Sequence, residues 1–236
     1  MRPDDRAWDI YFDVMAKARE RGISLAVGGG IAVSSYVPQR ASTKDIDLYV
    51  KPSDRDRMIE ILSECGLRDY YDEHPYDRNW IYRAHDGDGT IVDIMWAMPN
   101  QRAQVDDEWL RRGPEIDVHG RTIRVLPPEE LIWAKLYILQ RDRCDWPDVL
   151  NVLYATAPQL DWEHLIERVG GDAPLLEAIL AIFQWLCPGR AAQLPPEVRR
   201  RLKTARRGRR SAIPRDQLLD TRPWFLPRLE EEPEAC

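Results

Sequence analysis

The chain has 236 residues, is 44% hydrophobic and carries a formal charge of −6, so it can build a substantial core but is not coated in phosphate-binding groups. No stretch approaches the roughly 18 consecutive apolar residues of a membrane span, and the charged start MRPDDRAWDIYF has no signal-peptide core. The cysteines (Cys65, Cys144, Cys187, Cys236) form no CxxC pair, which suits reduced thiols in a cytoplasmic protein better than a disulfide framework or a zinc site.

Trp8, Tyr11, Phe12 and Met15 recur at helical spacing and predict a helix over 4–20. ISLAV (23–27) reads as a short buried strand; GGG and a small-residue helix, IAVSSYV, follow. DIDLYV (45–50) is a second strand. PSDRDRMIEILSECG reads as a helix, with Ser53 as its N-cap and Gly66 just past its end. NWIYRAH and TIVDIMWA are strand patterns joined by a DGDG turn, and EIDVHGRTIRVL is a second hairpin turning at His119-Gly120. After LPPEE the pattern becomes helical: PEELIWAKLYILQR, WPDVLNVLYAT, DWEHLIERV and APLLEAILAIFQWLC. These patterns divide the chain into a mixed α/β part (1–126), a helical region (127–190) and a Pro/Arg-rich segment (191–236), with no internal repeat.

Asp45 and Asp47 are unexpected in a strand, because aspartate is a poor strand former. Residues i and i+2 share a face, so the two carboxylates sit side by side and repel. They are either solvent-facing groups of an edge strand or a pair that holds a divalent cation. Gly29 and Gly30 lie where a strand meets a helix, a place where backbone amides can approach phosphate. The glycines match neither a dinucleotide fingerprint nor a P-loop. Asp93 is a lone acid in the apolar TIVDIMW. It is either a strand-end acid or a third carboxylate of a two-metal phosphoryl-transfer site. DGDGTIVDIMWA begins like a calcium loop, but Ile91 and Ala97 stand where Gly and Glu are needed.

Taken together, GGGIAVSSYVPQRASTKDIDLYV and the later TIVDIMW resemble the nucleotidyltransferase superfamily of DNA polymerase β. The similarity is closest to bacterial single-chain members of the AbiEii-like and MenT-like group, and covers residues 23–96. It implies an α+β fold: a small mixed β-sheet core with helices on one side, then a mostly helical C-terminal half that closes the cleft. It also implies an NTP along Gly29 and Gly30, and Mg²⁺ on Asp45, Asp47 and Asp93 as two ions, with Mn²⁺ as a substitute. Asp93 is then the base for an acceptor hydroxyl, and Arg40 and Lys44 assist with phosphate. LPPEELIWAKLYILQRDRCDWPDVLNVL resembles the helical region of the same proteins. There Lys135 matches a lysine that contacts the triphosphate and Asp145 matches a site aspartate, while Cys144 replaces the usual lysine. The bland readings are a snorkelling lysine and a helix N-cap.

The implied reaction transfers an NMP group from an NTP to an RNA, tRNA or protein hydroxyl with release of pyrophosphate. An aminoglycoside- or lincosamide-type antibiotic adenylyltransferase is an alternative, as is a non-catalytic nucleotide-binding protein. RRRLKTARRGRR (199–210) holds eight of the 34 basic residues and no acid. Its Arg206, Arg207, Arg209 and Arg210 are either a solvated basic face or an electrostatic guide for RNA.

Overall fold

The computed structural model describes residues 5–37, 45–99, 102–140, 142–198 and 200. Arg40, Lys44, Arg206, Arg207, Arg209 and Arg210 lie outside the described residues.

Helix α1 (Asp5–Glu20) buries Ala7, Trp8, Tyr11, Val14 and Ala18, a stripe at helical spacing. It leads into β1 (Leu25–Val27), α2 (Gly29–Tyr36) and β2 (Asp45–Val50). Ser53 does not cap the next helix. It lies within a 3₁₀ turn (Pro52–Asp54), and Asp54 stands at the N-cap of α3 (Arg55–Glu64) without a side-chain cap bond. The fixed φ of Pro52 starts the helical turn before Ser53 can act as a boundary. Gly66, at φ +78°, follows the end of α3 as expected.

Strands β3 (Arg68–Asp69), β4 (Ile81–His85) and β5 (Ile91–Met95) complete the sheet. In the β4–β5 turn, Asp86 Oδ1 accepts from the amides of Asp88 (2.8 Å) and Thr90 (3.0 Å). A short α4 (Asp107–Arg111) precedes the hairpin of β6 (Glu115–Val118) and β7 (Arg121–Arg124). Its turn residues His119 and Gly120 have φ of +51° and +73°, a left-handed pair that suits the twist of a hairpin.

The strand order is β1-β2-β5-β4-β3, with β2 and β5 parallel and the other neighbours antiparallel. The β6–β7 hairpin reaches the β1 edge, where the Leu126 amide donates to the Val27 carbonyl at 2.9 Å. Period-two alternation divides the sheet faces. Ile46 and Leu48 pair with Val92 and Ile94, and all four are fully buried. Helix α3, which packs on β5, buries Met58, Ile61 and Leu62. Asp45, Asp47 and Tyr49 face the other way.

The second half is α5 (Pro128–Leu136), α6 (Trp146–Thr156), α7 (Trp162–Val169), α8 (Ala173–Leu186) and α9 (Pro188–Ala191). Helix α5 stops at Leu136, earlier than its apolar pattern suggests. The chain doubles back instead, with Leu139 bridging Cys144 and the Asp145 amide donating to the Ile138 carbonyl.

By length and composition alone, the run Trp162–Leu186 would suffice to cross a membrane. No such span was expected from consecutive apolar residues; the difference is that mean hydropathy over a window tolerates isolated charges such as Asp172 and Glu177. Gly170, at φ +53°, and a 3₁₀ turn divide the run into α7 and α8. At that break Asp172 pairs with Arg102 at 3.1 Å.

Candidate active site

The sheet register brings the acids together. Asp47 is the direct neighbour of Asp93 across the parallel β2–β5 pair, and Asp45 lies two residues earlier on the same face. Across the antiparallel β4–β5 pair, Asp93 faces Arg83. Four charged groups therefore share one face of three adjacent strands, which are spaced about 4.8 Å apart.

Arg83 was not singled out from the sequence, and it is the cation of this cluster. Its Nε donates to Asp93 Oδ1 at 2.8 Å, and its Nη2 donates to Asp93 Oδ2 at 2.6 Å and Asp45 Oδ2 at 3.1 Å. The DGDG turn alone would pair residue 83 with residue 92; the loop also takes in Thr90, and that extra residue sets Arg83 opposite Asp93.

The glycine turn grips Asp47 from the side. The Gly28 amide donates to the Asp47 carbonyl at 2.8 Å. A Cβ on Gly28 would lie 2.2 Å from the Tyr49 ring, and one on Gly29 would lie 1.5 Å from Asp47 Oδ2. Gly29 also has φ +51°. Only glycine lets the backbone pass this close to the carboxylate in that conformation. Gly30 lies in the first turn of α2. In the sequence all three glycines look alike, and only the packing against Tyr49 distinguishes Gly28.

The carboxylates pay electrostatically for their proximity. Burial, with Asp45 and Asp93 alongside, pushes Asp47 up to about 7; Arg143 and Lys135 pull it back. Burial likewise pushes Asp93 up to about 6 against the hydrogen bonds and charge of Arg83. Burial works against the charge of Arg83, yet Asp93 and Asp45 hold its pKa above the ordinary value.

The helical half contributes positive charge. Lys135, on α5, is 7% exposed, which excludes the snorkelling surface role. Its Nζ lies 2.5 Å from Asp145 Oδ2 and 2.9 Å from Asp148 Oδ2. Asp145 holds the N-cap position of α6 but makes no side-chain cap bond. Its carboxylate instead receives Lys135 and Arg143, whose Nε donates to it at 3.1 Å. These cations keep Asp145 below the usual carboxylate range against the opposing effect of burial. Cys144 is exposed. The charge of its neighbour Arg143 reaches both Asp47 and Asp93.

Three hard oxygen donors on adjacent strands suit a divalent cation such as Mg²⁺. The raised Asp47 has the chemistry of a group that lacks enough positive charge nearby. Among the described residues no three acidic, His or Cys side chains converge closely enough to hold a metal. The guanidinium of Arg83 lies between Asp45 and Asp93 in this arrangement and supplies part of the positive charge these carboxylates need.

Removing the Lys135 charge takes away the ammonium that Asp145 and Asp148 share and leaves Arg143 on Asp145. Lys135→Gln is expected to lower the unfolding free energy by about 1–3 kcal/mol, read by chemical denaturation. It should also weaken NTP more than NMP if the ammonium serves the β- and γ-phosphates, a comparison that titration calorimetry makes directly.

Residues 13–188 match the model of a family described as "Uncharacterised nucleotidyltransferase". No curated protein gives a significant match. Among solved structures, the chain is similar to the antibiotic-resistance factor ANT(2'')-Ia: 19% identity, 79% of this chain, 96% of that one and a TM-score of 0.47. For the lincosamide antibiotic adenylyltransferase LnuA in its lincomycin-bound form the figures are 15%, 64%, 98% and 0.43. For an antigenic nucleotidyltransferase-like protein from Paracoccidioides brasiliensis they are 13%, 78%, 90% and 0.46.

Proposed function

The chain belongs to the uncharacterised nucleotidyltransferase family, and from that premise we propose that it transfers an NMP group from an NTP to an acceptor hydroxyl. The observation that carries this reading is the register that sets Asp47 beside Asp93, with Asp45 on the same face and Gly29 packed against the Asp47 carboxylate.

In this reading the phosphates lie against the amides at the start of α2, where the helix dipole favours negative charge. Lys135 and Arg143 add positive charge from the helical side. Asp45, Asp47 and Asp93 would hold Mg²⁺, one ion or two, which neutralises charge on the α-phosphate and the departing pyrophosphate. Asp93 accepts the proton of the acceptor hydroxyl as its oxygen bonds to the α-phosphorus and the bond to pyrophosphate breaks. Arg83 keeps Asp93 and Asp45 oriented. The AbiEii-like and MenT-like resemblance supports an RNA, tRNA or protein hydroxyl as the acceptor, of which the basic segment 199–210 favours RNA, and the reaction belongs in the cytoplasm, where NTP and Mg²⁺ are plentiful.

The test supplies the full chain with Mg²⁺, each α-labelled NTP and a panel of tRNA, protein, aminoglycoside and lincosamide acceptors. Label should be retained on one acceptor class with an equal yield of pyrophosphate over many turnovers. Nucleotide binding without pyrophosphate release from any pairing would favour a binding protein instead.

A further inference from the structure

A cavity of about 440 Å³ opens on the side of the sheet away from the carboxylates. The alternation of β1 establishes the side. Ala26 pairs with Tyr49, which shares its face with Asp47, so Leu25 points the other way into the cavity. The floor is apolar: Phe12 and Met15 from α1, Leu25 from β1, Leu110 from α4 and Ile123 from β7. The volume is that of an ordinary small-molecule site.

Four arginines, Arg19, Arg111, Arg121 and Arg124, stand around this floor. Two are already engaged. Arg111 pairs with Glu108 at 2.6 Å, and Arg124 pairs with Glu115 while donating to the carbonyls of Arg111 (3.0 Å) and Gly113 (2.9 Å). The other two differ. Among the described residues, neither Arg19 nor Arg121 has a carboxylate or carbonyl partner. The Arg121 guanidinium lies 4.7 Å over the Phe12 ring, which tethers it to the floor by a cation–π contact without neutralising it. Arg19 comes from α1 and Arg121 from β7, so two uncompensated charges stand on separate walls of one cleft with an apolar floor, in a chain of net charge −6.

We propose that this cavity binds a small amphipathic anion, with an apolar body on the Phe12–Leu25–Ile123 floor and one carboxylate or phosphate monoester between Arg19 and Arg121. The body removes apolar surface from water, and the head forms charge-assisted hydrogen bonds with two guanidinium groups. The site is separate from the carboxylate cluster and does not depend on the transfer reaction.

The test is titration calorimetry on the full chain with octanoate, octyl phosphate and neutral 1-octanol. Both anions should bind saturably at one site, more tightly than the alcohol, and the tighter anion identifies the head group. Arg19→Gln/Arg121→Gln should weaken both anions by about tenfold or more and leave 1-octanol unchanged. Both arginines are exposed, so the double variant should fold, which near-UV circular dichroism checks. Ala16→Trp, which adds an indole to the cavity lining, should abolish binding of all three. Absence of saturable anion binding at millimolar concentration, or equal anion affinity in the wild type and the double arginine variant, would overturn the proposal.

Discussion

Asp47→Asn is expected to abolish nucleotidyl transfer, by a factor on the order of 10³ or more, and to make the metal-free protein more stable. The first effect follows from removing a charged oxygen where metal and phosphate charge must be balanced, a contribution of several kcal/mol. The second follows from the position of Asp47 beside Asp45 and Asp93. Its folded pKa of about 7 exceeds the unfolded value near 3.9. The folded state therefore holds the proton more tightly, and the stabilising contribution is complete only below the unfolded pKa. It is lost as pH rises toward 7. Asparagine removes that loss. The variant's advantage should widen between about pH 4 and pH 7, reaching roughly 4 kcal/mol, or about 8–16 °C in Tm for a chain of this size. Calorimetric melting of both proteins across that range measures it. A variant that is inactive and also less stable at pH 7 would mean that Asp47 is held by structural bonds rather than strained by its neighbours.

Gly29→Ala should be almost as damaging, for a different reason. The new methyl would fall on Asp47 Oδ2, and alanine would have to adopt φ +51°. Left-handed backbone costs about 1–2 kcal/mol for a residue with a Cβ. Relieving the overlap must move either α2 or the carboxylate, and a shift of this size can cost on the order of 10²-fold in rate. Gly22→Ala separates the two effects. Gly22 has φ +68° with nothing within 4 Å of its added Cβ, so it incurs only the backbone cost and should leave activity unchanged. Steady-state kinetics on the two variants decides the matter. Equal activity in both would show that the contact between Gly29 and Asp47 is dispensable.

Strand β2 and helix α6 match their sequence patterns to the residue, DIDLYV because its apolar positions are buried against a layer and WPDVLNVLYAT because Pro and a preceding Asp mark its start. The turn at His119-Gly120 was equally clear from its glycine. Less was legible where tertiary contacts override local pattern. Helix α5 ends early because the chain turns back and Asp145 pairs with Lys135. Asp145 looks like an N-cap in the sequence, yet its carboxylate bonds to cations instead. Strand β3 and helix α4 are two and five residues long, too short for any periodicity to register. Of the candidate site, the three aspartates and the glycine turn were readable from spacing. Arg83 and Arg143 are not legible in the sequence, since arginine at the surface is the common case; the β4–β5 register sets Arg83 on Asp93, and the turn before α6 sets Arg143 on Asp145. Arg40, Lys44 and the four arginines near the C-terminus lie outside the described residues.

The most direct measurement is Mn²⁺ binding, followed by electron paramagnetic resonance with a non-hydrolysable NTP, because it needs no knowledge of the acceptor. The wild type should bind Mn²⁺ at one or two sites per chain more tightly with nucleotide than without it. Asp45→Asn, Asp47→Asn and Asp93→Asn should each weaken that binding by about tenfold or more. Unchanged Mn²⁺ binding in all three variants would contradict a metal–nucleotide site on the carboxylate face of the sheet.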